Sequence, residues 1–242
     1  MTDIQILQEF LELPLWTSEF VFEKFRYDQR AILREDTSNP KQRFVYIEGT
    51  RKEKVVLVAH ADTYFDEQYE FPQNPHEIYE EDGYFIGDGK NGIGADDRAG
   101  CAMLYLLKDL GHSLLITDGE EHRQIGSKWL MDHNRDIADK INNHQFIIQL
   151  DRANSSDFKC YSAGNDTFRE FVKDKTGYTE PDRNQRTDIV NLCRDITGVN
   201  FSIGYYDEHT HDEKINIQEW ENSLTMIRRL VAGKLPRFPL EK

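Results

Sequence analysis

Residues 99–150 read AGCAMLYLLKDLGHSLLITDGEEHRQIGSKWLMDHNRDIADKINNHQFIIQL. Ala99–Leu110 has the apolar spacing of a helix and stops at Gly111, a residue suited to a helix C-terminus. Ser113–Thr117 (SLLIT) is a short apolar run of strand length, Ile125–Ile141 returns to helical spacing, and Phe146–Leu150 (FIIQL) is a second such run. Strands covered by helices on both sides read as unbroken apolar runs, because neither set of alternating side chains meets water. The stretch therefore predicts an α/β fold with a mixed, largely parallel central sheet and helices on both faces.

The pattern extends in both directions. Upstream, Phe44–Ile47 and Val55–Ala59 read as strands. Before them, Ile4, Leu7, Phe10 and Leu11 mark one helix, and Ser18 caps a second carrying Phe22, Phe25 and Ile32. Downstream, Lys159–Ala163 and Val199–Tyr206 read as strands, and Thr167–Lys175, Thr187–Thr197 and Ile217–Ala232 as helices. Residues 63–90 are turn-rich and aromatic, with Tyr64, Phe65, Tyr69, Phe71, Tyr79, Tyr84 and Phe85 available to wall a pocket or to pack among themselves. The 242 residues hold no repeat or long linker, so one domain over residues 1–242 is expected.

The formal charge of -14 argues against nucleic acid and anionic membranes as partners, since both are bound through basic patches. No apolar run approaches the roughly 20 residues that span a bilayer, and the N-terminus lacks the pattern of a secretory leader. Cys101, Cys160 and Cys193 are odd in number and far apart, so no disulfide framework is expected and a reducing cytoplasm is the simplest compartment.

In doubly covered α/β sheets, sites lie beyond the carboxyl ends of the strands. Here those ends carry residues able to bind a metal. VVLVAHAD ends in His60 and Asp62, which share one side of an extended strand. GIGADDRAG sets Asp96 and Asp97 in a glycine-flanked turn, where one carboxylate can bridge two ions or simply cap the helix that follows. SLLITDGEE ends in Glu120 and Glu121, whose mutual repulsion calls for a compensating cation or hydrogen bonds. FIIQLD ends in Asp151, beside Arg152, and FSIGYYDEHTH ends in His209 and His211, which compete for one role. His76, His112, His122, His133 and His144 fall in polar contexts and read as surface residues.

The ordered series His-x-Asp, Asp, Glu-Glu, Asp, His resembles the co-catalytic zinc exopeptidase superfamily, of phosphorylase/hydrolase-like fold. GIGADDRAG and His209-Thr210-His211-Asp212-Glu213 are most similar to its glutamyl and tetrahedral-type aminopeptidase branch. The resemblance runs from about Val55 to the end. It implies one metal on His60, Asp96 and Asp151 and a second on Asp96, Glu121 and His209, with Asp96 bridging. It further implies Glu120 as general base, Asp62 orienting His60, and a cis bond before Asp97. Two divalent ions are implied, zinc foremost, with cobalt and manganese also suited to His and carboxylate donors. The substrate implied is a peptide or small amide, cleaved by an aminopeptidase. A glutaminyl-peptide cyclase or small-amide deacylase is the alternative on the same fold, and a silent binding domain the alternative of another class. The Asp62–Asp96 and Asp151–His209 intervals are too short for the lid or dimerisation insert of many relatives.

Overall fold

A computed structural model describes residues 1–66, 77–182 and 186–240. Strands β1 (Ala31–Asp36), β2 (Asn39–Ile47), β3 (Val56–His60), β4 (Tyr79–Glu81), β5 (Tyr84–Ile86), β6 (Ser113–Thr117), β7 (Ile147–Arg152), β8 (Phe158–Lys159), β9 (Gly198–Ser202), β10 (Tyr205–Tyr206) and β11 (Lys214–Asn216) form two sheets. The main one has seven strands in the order β1-β2-β6-β3-β7-β9-β8. Its centre, β6-β3-β7-β9, is parallel, and β1, β2 and β8 pair antiparallel at its margins. The expected mixed, largely parallel sheet is what forms. The smaller sheet, β10-β11-β5-β4, is antiparallel throughout.

The helices are α1 (Asp3–Leu11), α2 (Glu19–Arg26), α3 (Ala95–Leu107), α4 (Ile125–His133), α5 (Arg135–Asn142), α6 (Asp166–Thr176), α7 (Asp188–Leu192) and α8 (Ile217–Ala232). Period-two alternation in β3 and β6 divides the core between them. Leu57, Ala59, Leu114 and Ile116 face a large apolar layer built from α1, α2, α3, α6 and α8. Val56, Val58 and Leu115 face a smaller layer from α4, α5 and α7. All five residues of β3 and of β6 are buried, which explains their unbroken apolar reading.

Several boundaries differ from the sequence expectation. The second helix ends at Arg26, and Ile32 lies in β1; Ser18 makes no side-chain cap and instead donates to Asp118 Oδ2 (2.6 Å). The helix expected over Ile125–Ile141 breaks at Asn134 (φ -121°, ψ 59°) into α4 and α5. Lys159–Ala163 is only the end of β8 followed by a single 3-10 turn, and Thr187–Thr197 is the short α7. The last expected strand divides into β9 and β10 around Gly204, whose φ of +95° turns the chain from the main sheet into the smaller one. Among the described residues no helix is long and apolar enough to cross a membrane. The three cysteines are free thiols.

Candidate metal centre

The carboxyl ends of the parallel strands meet at one point. At the end of β3, His60 is 1% exposed, and its Nδ1 sits 3.1 Å from the Asp62 carbonyl oxygen and 3.3 Å from Asp62 Oδ1. Committing Nδ1 to Asp62 turns Nε2 toward Asp96 Oδ1 (3.1 Å) and Asp151 Oδ1 (3.4 Å). The buried Asp62 carboxylate also accepts the backbone N–H groups of Glu120 (3.1 Å) and Glu121 (3.2 Å). One side chain thus holds the imidazole and the Glu-Glu loop after β6 in fixed relation.

Asp96 enters from the first turn of α3. Gly94 precedes it in the left-handed region (φ +63°), and the Asp96–Asp97 bond is cis, as the family resemblance implies. The buried Glu213 carboxylate accepts Gly94 N–H (2.7 Å) and Asp96 N–H (3.0 Å), fixing the turn from the loop that also carries His209. Asp97 is spent on backbone: Oδ2 accepts His60 N–H (3.1 Å) and Oδ1 accepts Gly100 N–H (3.0 Å). It lies close enough to His60 and Asp151 to count as a donor. Because each of its oxygens already accepts a hydrogen bond, it is better read as a brace for the His60 backbone.

Asp96 reaches both ways. Its Oδ1 faces His60, and its Oδ2 lies 3.2 Å from His209 Nε2, which in turn is 2.7 Å from Glu121 Oε1. His209 is held in the left-handed region (φ +65°), an unusual backbone for this residue type at a loop that presents a side chain. The Tyr64 ring stacks on it at 4.6 Å. His211 points elsewhere: it is 63% exposed and its nearest carboxylate is Asp212 (3.6 Å). Asp151 is anchored from behind by Gln149 Nε2 (2.6 Å) and Thr187 Oγ1 (2.9 Å) on Oδ2, leaving Oδ1 toward His60. Arg152 takes no part, since it pairs with Asp157.

The donor set fits a metal. Around a tetrahedral zinc with bonds of about 2.0–2.2 Å, neighbouring donors lie about 3.3–3.6 Å apart. The His60–Asp96, His60–Asp151 and His209–Asp96 separations of 3.1, 3.4 and 3.2 Å lie near that spacing. The charges suit a cation too. His60, Asp96 and Glu121 offer donor atoms within 4.8 Å of one another, and two carboxylates that close repel by about 3–4 kcal/mol at an effective dielectric of ~20. Among the described residues, no Lys or Arg forms an ion pair with Asp96, Glu120, Glu121 or Asp151.

Protonation follows the same field. Burial works against charge on His60, yet the carboxylates of Asp151, Asp62 and Asp96 outweigh it and hold the imidazole well above its ordinary value. For His209 burial is likewise overcome, by Asp96 and Glu121, and its value rises to about 11. Burial, then the neighbouring carboxylates, pushes Glu120 well above the usual range and Asp151 up to about 7. Burial also lifts Glu213 to about 8, against the pull of its two N–H donors. These are the shifts of imidazoles and carboxylates packed closely enough to share protons.

A cleft of about 260 Å³ opens onto this cluster, walled by Asp96, Glu120, Glu121, Asp151, Thr187, Asn200, Tyr205 and Glu208. Beyond His209 a second cavity of about 890 Å³ is lined by Tyr64, Phe65, Ile86, Lys90 and Lys214. Tyr64 and Phe65 therefore do wall a cavity, whereas Phe85 packs in the core; Tyr69 and Phe71 lie outside the described residues. Asp207 is held by Lys214 Nζ at 2.6 Å.

The histidines expected at the surface need correction. His112 and His144 are buried and hydrogen-bonded, His112 through Val55 N–H and the Val231 carbonyl. His122 Nδ1 comes within 3.6 Å of Asp62 Oδ2, so it belongs to the surroundings of the site. His133 is exposed as expected, and His76 lies outside the described residues. Glu213, Asp97, Thr187 and Asn200 support the site; Asp97 falls in the GIGADDRAG run and Glu213 in the His-Thr-x-x-Glu run, whereas the contexts of Thr187 and Asn200 carry little signal.

No family model and no curated protein matches the sequence. Solved structures do match in fold. Aminopeptidase PepT from Bacillus cereus is 15% identical, with a TM-score of 0.69 over 96% of this chain and 98% of that one. A tripeptidase from Staphylococcus aureus gives 14% identity and a TM-score of 0.70 over 95% and 97%. The Pyrococcus horikoshii TET1 peptidase, which assembles into a tetrahedron or a large octahedral shell, gives 13% and 0.64 over 95% and 99%. At such identities the likeness establishes a shared fold.

Proposed function

We propose that this chain is a dinuclear metal-dependent hydrolase of peptide or related amide bonds, an aminopeptidase with zinc as its metal. The observation that carries the reading is the divergence of the two Asp96 oxygens, one toward His60 and the other toward His209. A carboxylate so placed would serve two cations, with His60 and Asp151 completing one donor set and Glu121 and His209 the other. The fold likeness to peptidases supports the same reading.

When bound, the two cations would supply Lewis acidity and make a shared water acidic enough to attack at neutral pH. The chain's own residues do the rest. Asp62 commits Nδ1 of His60, so Nε2 would offer its lone pair to a cation that displaces its proton. The Glu120 carboxylate lines the cleft with no hydrogen-bond partner among the described residues, and its raised affinity for protons suits a group that must take one and return it. It would accept the proton of the attacking water and deliver it to the leaving nitrogen. The acidic wall, including Glu208, suits a substrate with a cationic amino terminus.

Metal quantitation on protein purified without chelator tests the reading before any substrate is chosen, with about two divalent ions per chain expected. Glu120→Gln should keep them and lose at least about 10²-fold in turnover. A protein that takes up no divalent ion, or a Glu120→Gln variant with full activity, would refute it. A panel of aminoacyl, acyl-amino-acid and N-terminal glutaminyl substrates separates aminopeptidase from deacylase and cyclase.

A further inference from the structure

Arg186 and Gln124 stand on the more open part of the cleft wall, and among the buried lining residues one hydrogen-bond donor stands out. Of its buried lining residues, Asp96 and Glu120 are acceptors when ionised. Thr187 spends its hydroxyl on Asp151 Oδ2, and Asn200 spends its amide on the Asp151 carbonyl (2.9 Å). The remaining buried wall residue is Tyr205, 2% exposed, its ring packed in the main core and its backbone fixed by β11 pairing and by Asn154 N–H on its carbonyl (2.8 Å). Its hydroxyl has no hydrogen-bond partner among the described residues. The contrast with other tyrosines is direct: Tyr46 and Tyr178 meet serine hydroxyls at 3.3 Å, and neighbouring Tyr206 donates to Glu219 (2.5 Å). Buried phenols are ordinarily paired. A rigid, unpaired O–H in a ligand cleft is a donor waiting for an acceptor that arrives with the substrate.

From this geometry we infer that Tyr205 is a catalytic residue of the hydrolase proposed above, donating its O–H to the scissile carbonyl oxygen as that oxygen becomes an oxyanion. The inference rests on that reading. When water adds to the carbonyl carbon, the C=O π pair moves onto oxygen, and a fixed neutral donor gains strength as that charge grows. Tyr205 keeps its proton throughout, since it acts only as a hydrogen-bond donor through its O–H. Beside the carboxylates that wall the cleft, such a donor offsets part of their repulsion of the developing charge. The phenol lies among those same carboxylates.

Tyr205→Phe deletes one oxygen and retains the packed ring. On the aminoacyl p-nitroanilide that the wild type cleaves fastest, kcat should fall about 10- to 100-fold with KM changed less than about twofold. The phosphinic isostere of alanyl-alanine, whose tetrahedral anion replaces the peptide carbonyl, should bind more weakly by a similar factor in calorimetry. Free alanine should bind equally well, and metal content and Tm should not move. Unchanged kcat and phosphinate affinity would overturn the assignment. So would an equal loss of alanine affinity or a loss of metal, since either would make Tyr205 a binding or structural group. Absence of any turnover in the metal-loaded wild type would instead sink the hydrolase reading, and this inference with it.

Discussion

His144 offers a stability test independent of the metal centre. It is 3% exposed, with Nδ1 donating to the Lys140 carbonyl (2.8 Å) and Nε2 accepting from Ser113 Oγ (2.8 Å). Ser113 Oγ already accepts the Gly49 N–H (2.9 Å) and the Tyr46 hydroxyl (3.3 Å). A proton added at Nε2 would therefore face an oxygen whose acceptor capacity is taken and would break the Ser113 hydrogen bond. Burial is the main cause that lowers this imidazole to about 4. The folded value lies below the unfolded value of about 6.5, so between those pH values the unfolded chain binds the proton and the folded chain does not. Stability is thus undiminished above pH 6.5 and falls as pH drops toward 4. Between pH 7 and pH 5 this group alone removes about 2 kcal/mol. The assay is urea unfolding of chelator-treated protein at both pH values, for the wild type and His144→Gln. Subtracting one pH dependence from the other cancels the remaining carboxylates, and the wild type should lose about 2 kcal/mol more than the variant. Parallel losses would refute the argument.

Two further substitutions test the architecture of the site. His209→Ala should lower divalent-metal content and weaken binding in a competitive chelator titration by at least about tenfold, while His211→Ala should leave both unchanged; the reverse ranking would make His211 the donor. Gly100→Ala should destabilise strongly, because a Cβ there would stand 2.1 Å from the Leu150 carbonyl oxygen and 2.2 Å from Asp97 Oδ1. Overpacking against backbone costs about 1–3 kcal/mol or more, read as a Tm drop of several degrees, and an unshifted Tm would show that α3 approaches β7 less closely than this.

What the sequence determined by itself was whatever rests on local periodicity. Unbroken apolar runs at 55–59, 113–117 and 146–150, of strand length and bounded by turn residues, read as strands covered on both faces, and a parallel sheet collects its strand ends on one side. Strand direction delivers His60, Asp62, Glu120, Glu121, Asp151, His209 and His211 to a common edge, whereas the choice of Asp96, Glu121 and His209 among their neighbours came from the family resemblance. The tertiary structure decided everything that depends on which distant groups touch. Asp62 accepting N–H groups 58 and 59 residues away, Glu213 bracing a turn 117 residues upstream, and His209 rather than His211 facing Asp96 leave no periodic trace. The same holds for His112 and His144, whose polar neighbours in sequence say nothing of the strands and helices that cover them. Helix ends fell in this class as well, since Asn134 breaks α4 from α5 within a run whose apolar spacing is continuous. Periodicity reports the face a residue presents; hydrogen bonds between distant segments and the packing of whole elements determine what that face meets.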